Sequence, residues 1–279
     1  MQKSKILFIG LGRMGYQMSA HLSKNTKIEL YIFNRSKHKK TKWLKNYFAN
    51  EYNFKSNIKF DFIISCIKDD NAIDLITKKI IKLNCFSNST IFIDHSTISL
   101  DQVKKTHSLV KANKFHFLDA PVTGGEEGAR KGMLSTMVGG TKSKFDKSKP
   151  IISSYCKNIV LMGKIGSGQL TKFTNQILIC GILYSISEAI LFSKKNKLDQ
   201  NKIYEAIKNG AASSWQFNNR YKSIINNQFN FGFSCELMEK DLKYVLKQSN
   251  KNEISLELTK KVHKKYKKLI LKKYKNQDT

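Results

Sequence analysis

Short apolar runs separated by glycine and polar turns fill roughly the first 165 residues. Lys5–Gly10, Ile28–Phe33, Phe60–Cys66, Thr90–Asp94, Phe115–Asp119, Leu134–Val138 and Ile159–Met162 are the runs. Each is too short for a helix and rich in β-branched or aromatic residues, so each predicts a strand. Several are apolar without alternation, which predicts burial on both faces. Between them, Tyr16–Ser23, Asn71–Leu83 and Leu100–Val110 carry apolar residues at helical spacing. Strands alternating with helices predict a mostly parallel sheet covered on both sides.

At residue 166 the pattern changes. Gly166-Ser-Gly-Gln-Leu-Thr-Lys-Phe-Thr-Asn-Gln176 reads as a helix N-terminus that runs through Ile177–Ile186 to about Lys194. The later turns are apolar on nearly every side, which predicts burial. Lys172, Asn175 and Gln176 stand at i, i+3 and i+4, so one face of this helix carries an amine and two amides. A lysine on a buried helix needs a partner or a task. From Leu198 onward only helical patterns remain, at Asn201–Lys208, Ser214–Asn226, Cys235–Asn250 and Ser255–Tyr274. The expected architecture is therefore an α/β N-terminal domain over residues 1–165, a long joining helix over 166–195, and an all-α domain over 196–279.

The chain has 279 residues, enough for two cores, and a formal net charge of +29. That charge points to anionic partners. It is carried almost wholly by lysines spread along the chain, however, with only Arg13, Arg35, Arg130 and Arg220 as arginines. A nucleic-acid reader would cluster its basic residues and favour arginine, so no nucleic-acid partner is expected. The basic stretch Lys260–Lys275 predicts a terminal helix with a solvated lysine face. Cys66, Cys85, Cys156, Cys180 and Cys235 are scattered without CxxC spacing, which predicts neither disulfides nor a metal site. The longest uninterrupted apolar run, near Ile177–Leu183, is too short to span a bilayer. A cytoplasmic location away from membranes is expected.

The candidate chemistry begins at Gly10-Leu11-Gly12-Arg13-Met14-Gly15. This G-x-G-x-x-G lies between a strand and a helix, the context in which it binds a dinucleotide. Gly10 allows the tight turn, Gly12 lets the backbone approach a pyrophosphate, and Gly15 lets helix pack on strand. The second strand ends in Asn34-Arg35-Ser36. An NAD-specific site would carry an acid there for the ribose hydroxyls. A guanidinium and a hydroxyl instead suit a 2′-phosphate and predict a preference for NADP(H), with NAD(H) possible. Cys66-Ile67 and Asn71 follow the third strand, where a doubly wound sheet binds ligand. After the fourth strand come His95, Ser96 and Thr97. One of the two hydroxyls is expected to cap the next helix, and His95 reads as a loop histidine. Thr123-Gly124-Gly125 follow the fifth strand and present bare amides, either as a nest for a carboxylate or as a loop needing positive φ. Met238-Glu-Lys-Asp-Leu242 brings Lys240 and Asp241 together inside a later helix.

Taken in order, Gly10–Gly15, Asp94-His-Ser-Thr97, Asp119-Ala-Pro-Val-Thr-Gly-Gly125 with Gly128-Ala129 and Met137-Val-Gly-Gly140, Gly166–Lys172 with Asn175, and Lys240-Asp-Leu242 resemble the β-hydroxyacid dehydrogenase family. That family includes 3-hydroxyisobutyrate dehydrogenases and glyoxylate, succinic semialdehyde and tartronate semialdehyde reductases. The resemblance implies a Rossmann-like first domain and a helical second domain used for contacts in a homodimer or homotetramer. It implies reversible hydride transfer between a nicotinamide and a short 3-hydroxy acid or its semialdehyde, the small carboxylate being the substrate. Lys172 resembles the family's catalytic lysine. Thr123, Gly124 and Gly125 resemble its carboxylate loop, and Asn175 its substrate-orienting amide. Gln176 stands where the family often has a second asparagine, and it is expected among the substrate-binding residues, reaching the same group or shifting its position. Cys66, Ile67, Asn71 and Thr97 fall at cofactor contacts, and Lys240 near the nicotinamide. Two rivals are an oxidative decarboxylase of a phosphorylated sugar acid and a dinucleotide sensor without turnover. Substrate shape would depend on residues such as Trp215, Phe217, Phe231 and Phe233.

Overall fold

A computed structural model describes residues 3–230 and 232–279; Phe231 lies outside the described residues. Two compact units divide the chain, Met1–Lys172 and Phe173–Thr279. The first contains β1 (Ser4–Ile9), α1 (Arg13–Ser23), β2 (Ile28–Phe33), α2 (Lys37–Leu44), β3 (Asn50–Glu51), β4 (Phe60–Ser65), α3 (Asp70–Lys82) and β5 (Phe86–Asp94). It continues with α4 (Leu100–Ala112), β6 (His116–Asp119), β7 (Val122–Thr123), α5 (Gly125–Lys131), β8 (Leu134–Gly139), α6 (Lys142–Ile152) and β9 (Cys156–Gly163).

The strands form one sheet in the order β3-β2-β1-β4-β5-β6-β8-β7, with β9 beside β8. Pairing is parallel from β3 through β6, antiparallel where β8 meets β6 and β7, and parallel again between β8 and β9. Strand alternation sorts the core into two layers. Ile6 and Phe8 of β1, with Ile91 and Ile93 of β5, join Met18 and Leu22 of α1 and Phe145 and Ile152 of α6 on one face. Leu7, Ile9 and Phe92 join Ile73 and Ile80 of α3 and Val103 and Val110 of α4 on the other. Filling both faces is what a parallel sheet requires. β1 changes order with β4 across its two sides, and this reversal puts a crevice at the carboxyl ends of the strands.

Three helices of this unit are not apparent from the pattern. α2 buries only Trp43, so it shows no apolar stripe. α5 is seven residues rich in glycine and charge, and α6 contains Pro150 near its end. The cap expected of Ser96 or Thr97 belongs instead to Ser99, whose side chain accepts from the Gln102 amide at the start of α4.

α7 (Ser167–Lys195) begins in the first unit and continues into the second, where α8 (Gln200–Ile207), α9 (Trp215–Ile225), α10 (Cys235–Lys251) and α11 (Glu257–Leu271) follow. Among the described residues the second unit has no strand, only an isolated bridge between Ser234 and Asp278. Cys180 of α7 packs with Met238 and Leu242 of α10 and Val262 and Tyr266 of α11. Ile186 and Ile190, further along, pack with Phe217 and Tyr221 of α9. As a whole helix, α7 is long and apolar enough to cross a bilayer by length and composition, although its longest apolar run is short. The burial expected of its apolar turns on nearly every side is met on one side only: Cys180, Ile186 and Ile190 face these two clusters, where α9, α10 and α11 pack, while Leu178, Leu191 and Phe192 are more than half exposed.

Candidate active site

Because β1, β2, β4, β5 and β6 are parallel, every motif that follows one of them emerges on the same edge of the sheet. Hydrogen bonds then link these loops in sequence along that edge. The Leu11 amide in the glycine turn donates to Asn34 Oδ1 at 2.9 Å. The Ile67 amide donates to Ser96 Oγ at 2.9 Å, and the Ala120 amide to the Asp94 carbonyl at 2.8 Å. The loops after β1 and β2, after β4 and β5, and after β5 and β6 are thus tied pairwise.

The glycine turn fits a pyrophosphate. Gly10 has φ +101° and lies so close to Cys66 that a Cβ would overlap the Cys66 carbonyl oxygen. A Cβ on Gly15 would overlap the Gly10 carbonyl oxygen, so α1 can start this near the turn only with glycine there. A Cβ on Gly12, by contrast, would meet nothing within 4 Å. Gly12 is also the N-cap of α1; no side chain caps that terminus and no acid sits in its first turn. Bare amides, the positive end of the helix dipole and open space in front of them suit a diphosphate. Arg13 and Met14 open the helix, Arg13 exposed.

At the end of β2, Asn34 is committed to backbone. Its Oδ1 takes the Leu11 amide and its Nδ2 donates to the Ser36 carbonyl at 3.0 Å. Arg35 and Ser36 beside it are exposed. Cys66 and Ile67 stand directly after β4, and Asn71 is exposed in the first turn of α3.

His95 lies in the loop between β5 and α4 and is almost completely buried there. Its Nδ1 lies 2.6 Å from the Ala120 carbonyl and its Nε2 lies 2.8 Å from the Tyr155 hydroxyl. A carbonyl only accepts, so Nδ1 carries the proton and Nε2 accepts from Tyr155. Burial drives the imidazole pKa down to about 4, with the Ala120 carbonyl opposing. His95 thereby fixes the residue from which the Thr123–Gly125 loop departs. In that loop Gly124 and Gly125 have φ of +122° and +64°, and both are exposed.

Asp119, at the end of β6, is buried and anchors the start of α7. It accepts from the Gly166 amide at 2.7 Å and the Gln169 amide at 2.9 Å. Burial pushes its pKa up to about 7, while these two amides pull it down. Lys172 lies one turn further along α7 and is only 7 % exposed.

The remaining predicted residues belong to the second unit. Gln176 is 1 % exposed and its carboxamide is taken up internally. Its Nε2 donates to Asp241 Oδ2 at 2.7 Å, and its Oε1 accepts from Asn175 Nδ2 at 2.9 Å. Asp241 also pairs with Lys240 at 3.2 Å. Of the aromatics considered for substrate shape, Phe217 and Phe233 pack in the helical core, and Trp215 is half exposed. Among the described residues no group of histidine, cysteine, aspartate or glutamate suits a metal ion.

Asp119, Gln169, Asp241 and the His95–Tyr155 pair carry no sign of these roles in the sequence. Asp241 stands beside Lys240 in a charged pair, whereas Tyr155 has no local signal, because it meets His95 across 60 residues of chain.

Comparison with known proteins agrees with this geometry. A family model for the NAD binding domain of 6-phosphogluconate dehydrogenase matches residues 5–163, and one for the NAD-binding of NADP-dependent 3-hydroxyisobutyrate dehydrogenase matches residues 166–279. The mitochondrial 3-hydroxyisobutyrate dehydrogenase of Drosophila melanogaster is 30 % identical, with 97 % of this chain and 86 % of that protein covered. The 2-hydroxy-3-oxopropionate reductase of Escherichia coli is 38 % identical over 59 % of this chain and 56 % of its own length. The solved 3-hydroxyisobutyrate dehydrogenase of Mycobacterium tuberculosis shares the fold, with a TM-score of 0.88 at 24 % identity over 99 % of this chain and 97 % of that one. A dinucleotide turn, a helix rooted at the strand ends and matches along nearly the whole chain lead to one assignment: this protein belongs to the β-hydroxyacid dehydrogenase family and is an NAD(P)-dependent oxidoreductase.

Proposed function

We propose that this enzyme interconverts a short 3-hydroxy acid and its semialdehyde with NADP(H), and that Lys172 handles the proton. The observation that carries the reading is the rooting of α7. Asp119 holds the helix start to the strand ends, and a nearly buried amine follows one turn later. The nicotinamide supplies or accepts the hydride. Lys172, as ammonium, hydrogen-bonds the carbonyl oxygen and protonates it as charge develops there; in the reverse direction the amine takes the hydroxyl proton. Thr123 and the amides of Gly124 and Gly125 hold the substrate carboxylate. Asn175 orients the reacting oxygen, with Gln176 and Asp241 fixing the Asn175 amide. Gly10–Gly15, Cys66, Ile67, Asn71 and Thr97 line the cofactor. A panel of 3-hydroxyisobutyrate, glyoxylate, succinic semialdehyde and tartronate semialdehyde, each run with NADPH or NADP⁺ and with NADH or NAD⁺, tests the reading. Turnover of none of them would reject it.

The NADP preference rests on the end of β2. Asn34 spends its carboxamide on backbone, no acid is present for a ribose hydroxyl, and Arg35 and Ser36 are exposed. A charge-assisted bond to a 2′-phosphate contributes about 1.5–3 kcal/mol. Arg35→Ala should therefore raise the KM for NADPH about 10- to 100-fold and leave that for NADH nearly unchanged. Equal changes for both cofactors would remove Arg35 from the 2′-phosphate site.

The expected homodimer or homotetramer is supported by Leu178, Leu191 and Phe192, all more than half exposed on α7. Light scattering should give twice or four times the chain mass; a monomer would refute it.

A further inference from the structure

Gln169 meets three groups at once. It is fully buried. Its Nε2 donates to the Ser96 carbonyl at 2.7 Å, and its Oε1 accepts from the Ile98 amide at 3.3 Å. These bonds fall on either side of Thr97. Its own amide donates to Asp119 Oδ2 at 2.9 Å, at the root of the Thr123–Gly125 loop. Lys172 lies three residues on, next to it along the helix face. The loop it grips is tied onward, since Ser96 Oγ accepts the Ile67 amide and donates to Asp94 Oδ1 at 2.6 Å. The packing beneath leaves no slack. A Cβ on Gly168 would overlap the Met137 carbonyl oxygen and approach the Asp119 carbonyl oxygen to 2.6 Å.

We propose that Gln169 is a positioning residue that sets the register between the Thr97 loop and the first turn of α7, so that cofactor loop, carboxylate loop and Lys172 move as one body. The inference rests on the reading of Lys172, Thr97 and Thr123–Gly125 given above. Gln169 touches neither substrate nor cofactor. It acts because a carboxamide is both donor and acceptor, which is what a carbonyl at residue 96 and an amide at residue 98 together require. A helix start displaced by a fraction of an ångström misaligns the amine with the reacting oxygen, and misplacements of about 1 Å cost on the order of 100-fold in rate.

Two variants separate positioning from mere support. Gln169→Met keeps the length but leaves both backbone groups without partners. It should lower kcat at saturating NADPH about 100-fold, with a smaller change in the KM of the carboxylate substrate. Gln169→Glu keeps the acceptor for Ile98 but sets a carboxylate against the Ser96 carbonyl. Burial raises the pKa of a carboxyl, and once protonated it can donate there again, so its kcat relative to wild type should rise as the pH is lowered. A purely structural residue would lower Tm but leave kcat and the shape of the pH profile alone, and that result overturns the inference. Lys172→Met serves as the control. If it retains turnover, the reading of the site falls. If it is inactive while both folded Gln169 variants keep wild-type kcat and pH profile, the inference alone falls. Should neither variant fold, hydrogen exchange on the wild type decides. NADPH should slow exchange in the peptide containing Ile98 and in that containing Gly166–Gln169 together, relative to α6. Protection of the first without the second overturns the proposal.

Discussion

Lys172→Met is expected to lose turnover by about a thousandfold or more while binding NADPH within a few-fold of wild type. Methionine matches the length of the lysine stem and suits a position only 7 % exposed, so the fold should persist. What disappears is the group that hydrogen-bonds and protonates the carbonyl oxygen, and proton transfer of this kind contributes on the order of 10²–10⁴. Removing its electrostatic contact with the developing oxyanion adds to the loss. Lys172→Arg extends the test. A guanidinium keeps the charge but does not give up its proton near neutral pH, so this variant should also fail while binding cofactor. Steady-state rates at saturating NADPH, with cofactor affinity measured by fluorescence titration, check both. Near-normal turnover in either variant would remove Lys172 from the chemistry.

The second large effect is on stability. The His95 imidazole is held neutral by complete burial, with its pKa driven from 6.5 to about 4. A depressed value means that the folded state binds fewer protons than the unfolded chain between those two points. Stability from this residue is therefore fully present above pH 6.5 and is lost as pH falls toward 4. At 1.36 kcal/mol per unit, the 2.5-unit difference amounts to about 3 kcal/mol. Protonation also turns Nε2 into a donor facing the Tyr155 hydroxyl, which must then turn its own proton away and accept. His95→Gln removes the titration. Urea unfolding of both proteins between pH 4 and pH 7.5 should give a difference, wild type minus variant, that grows by about 3 kcal/mol up to pH 6.5 and is flat beyond. Parallel curves would show that the buried imidazole is not titrating as argued. Because His95 holds Ala120, the same acid limb should appear in the KM of the carboxylate substrate before global unfolding.

The sequence by itself determined the alternation of strands and helices, and with it the sheet. Runs such as Ile28–Phe33 are apolar enough to be strands wherever they lie, and Gly10, Gly12 and Gly15 stand at a spacing that has a steric reason. The long helix bearing Lys172 was equally legible, since its apolar turns and the i, i+3, i+4 polar face are local properties of the chain. Tertiary structure alone decided which distant groups meet. Gln169 looks like any polar residue in a first helical turn, yet its carboxamide closes on residues 96 and 98, more than 70 positions away. His95 stands in the loop its sequence predicts, but the partners that enclose it, Ala120 and Tyr155, lie 25 and 60 positions away. The partner of the Gln176 carboxamide, Asp241, stands 65 positions further on. The division has a physical cause. Periodicity and backbone sterics act between neighbours in sequence, so they are written in the sequence order. The partner of a buried polar group is chosen by whichever donor or acceptor the packing of remote segments brings within 3 Å, and nothing local records that choice.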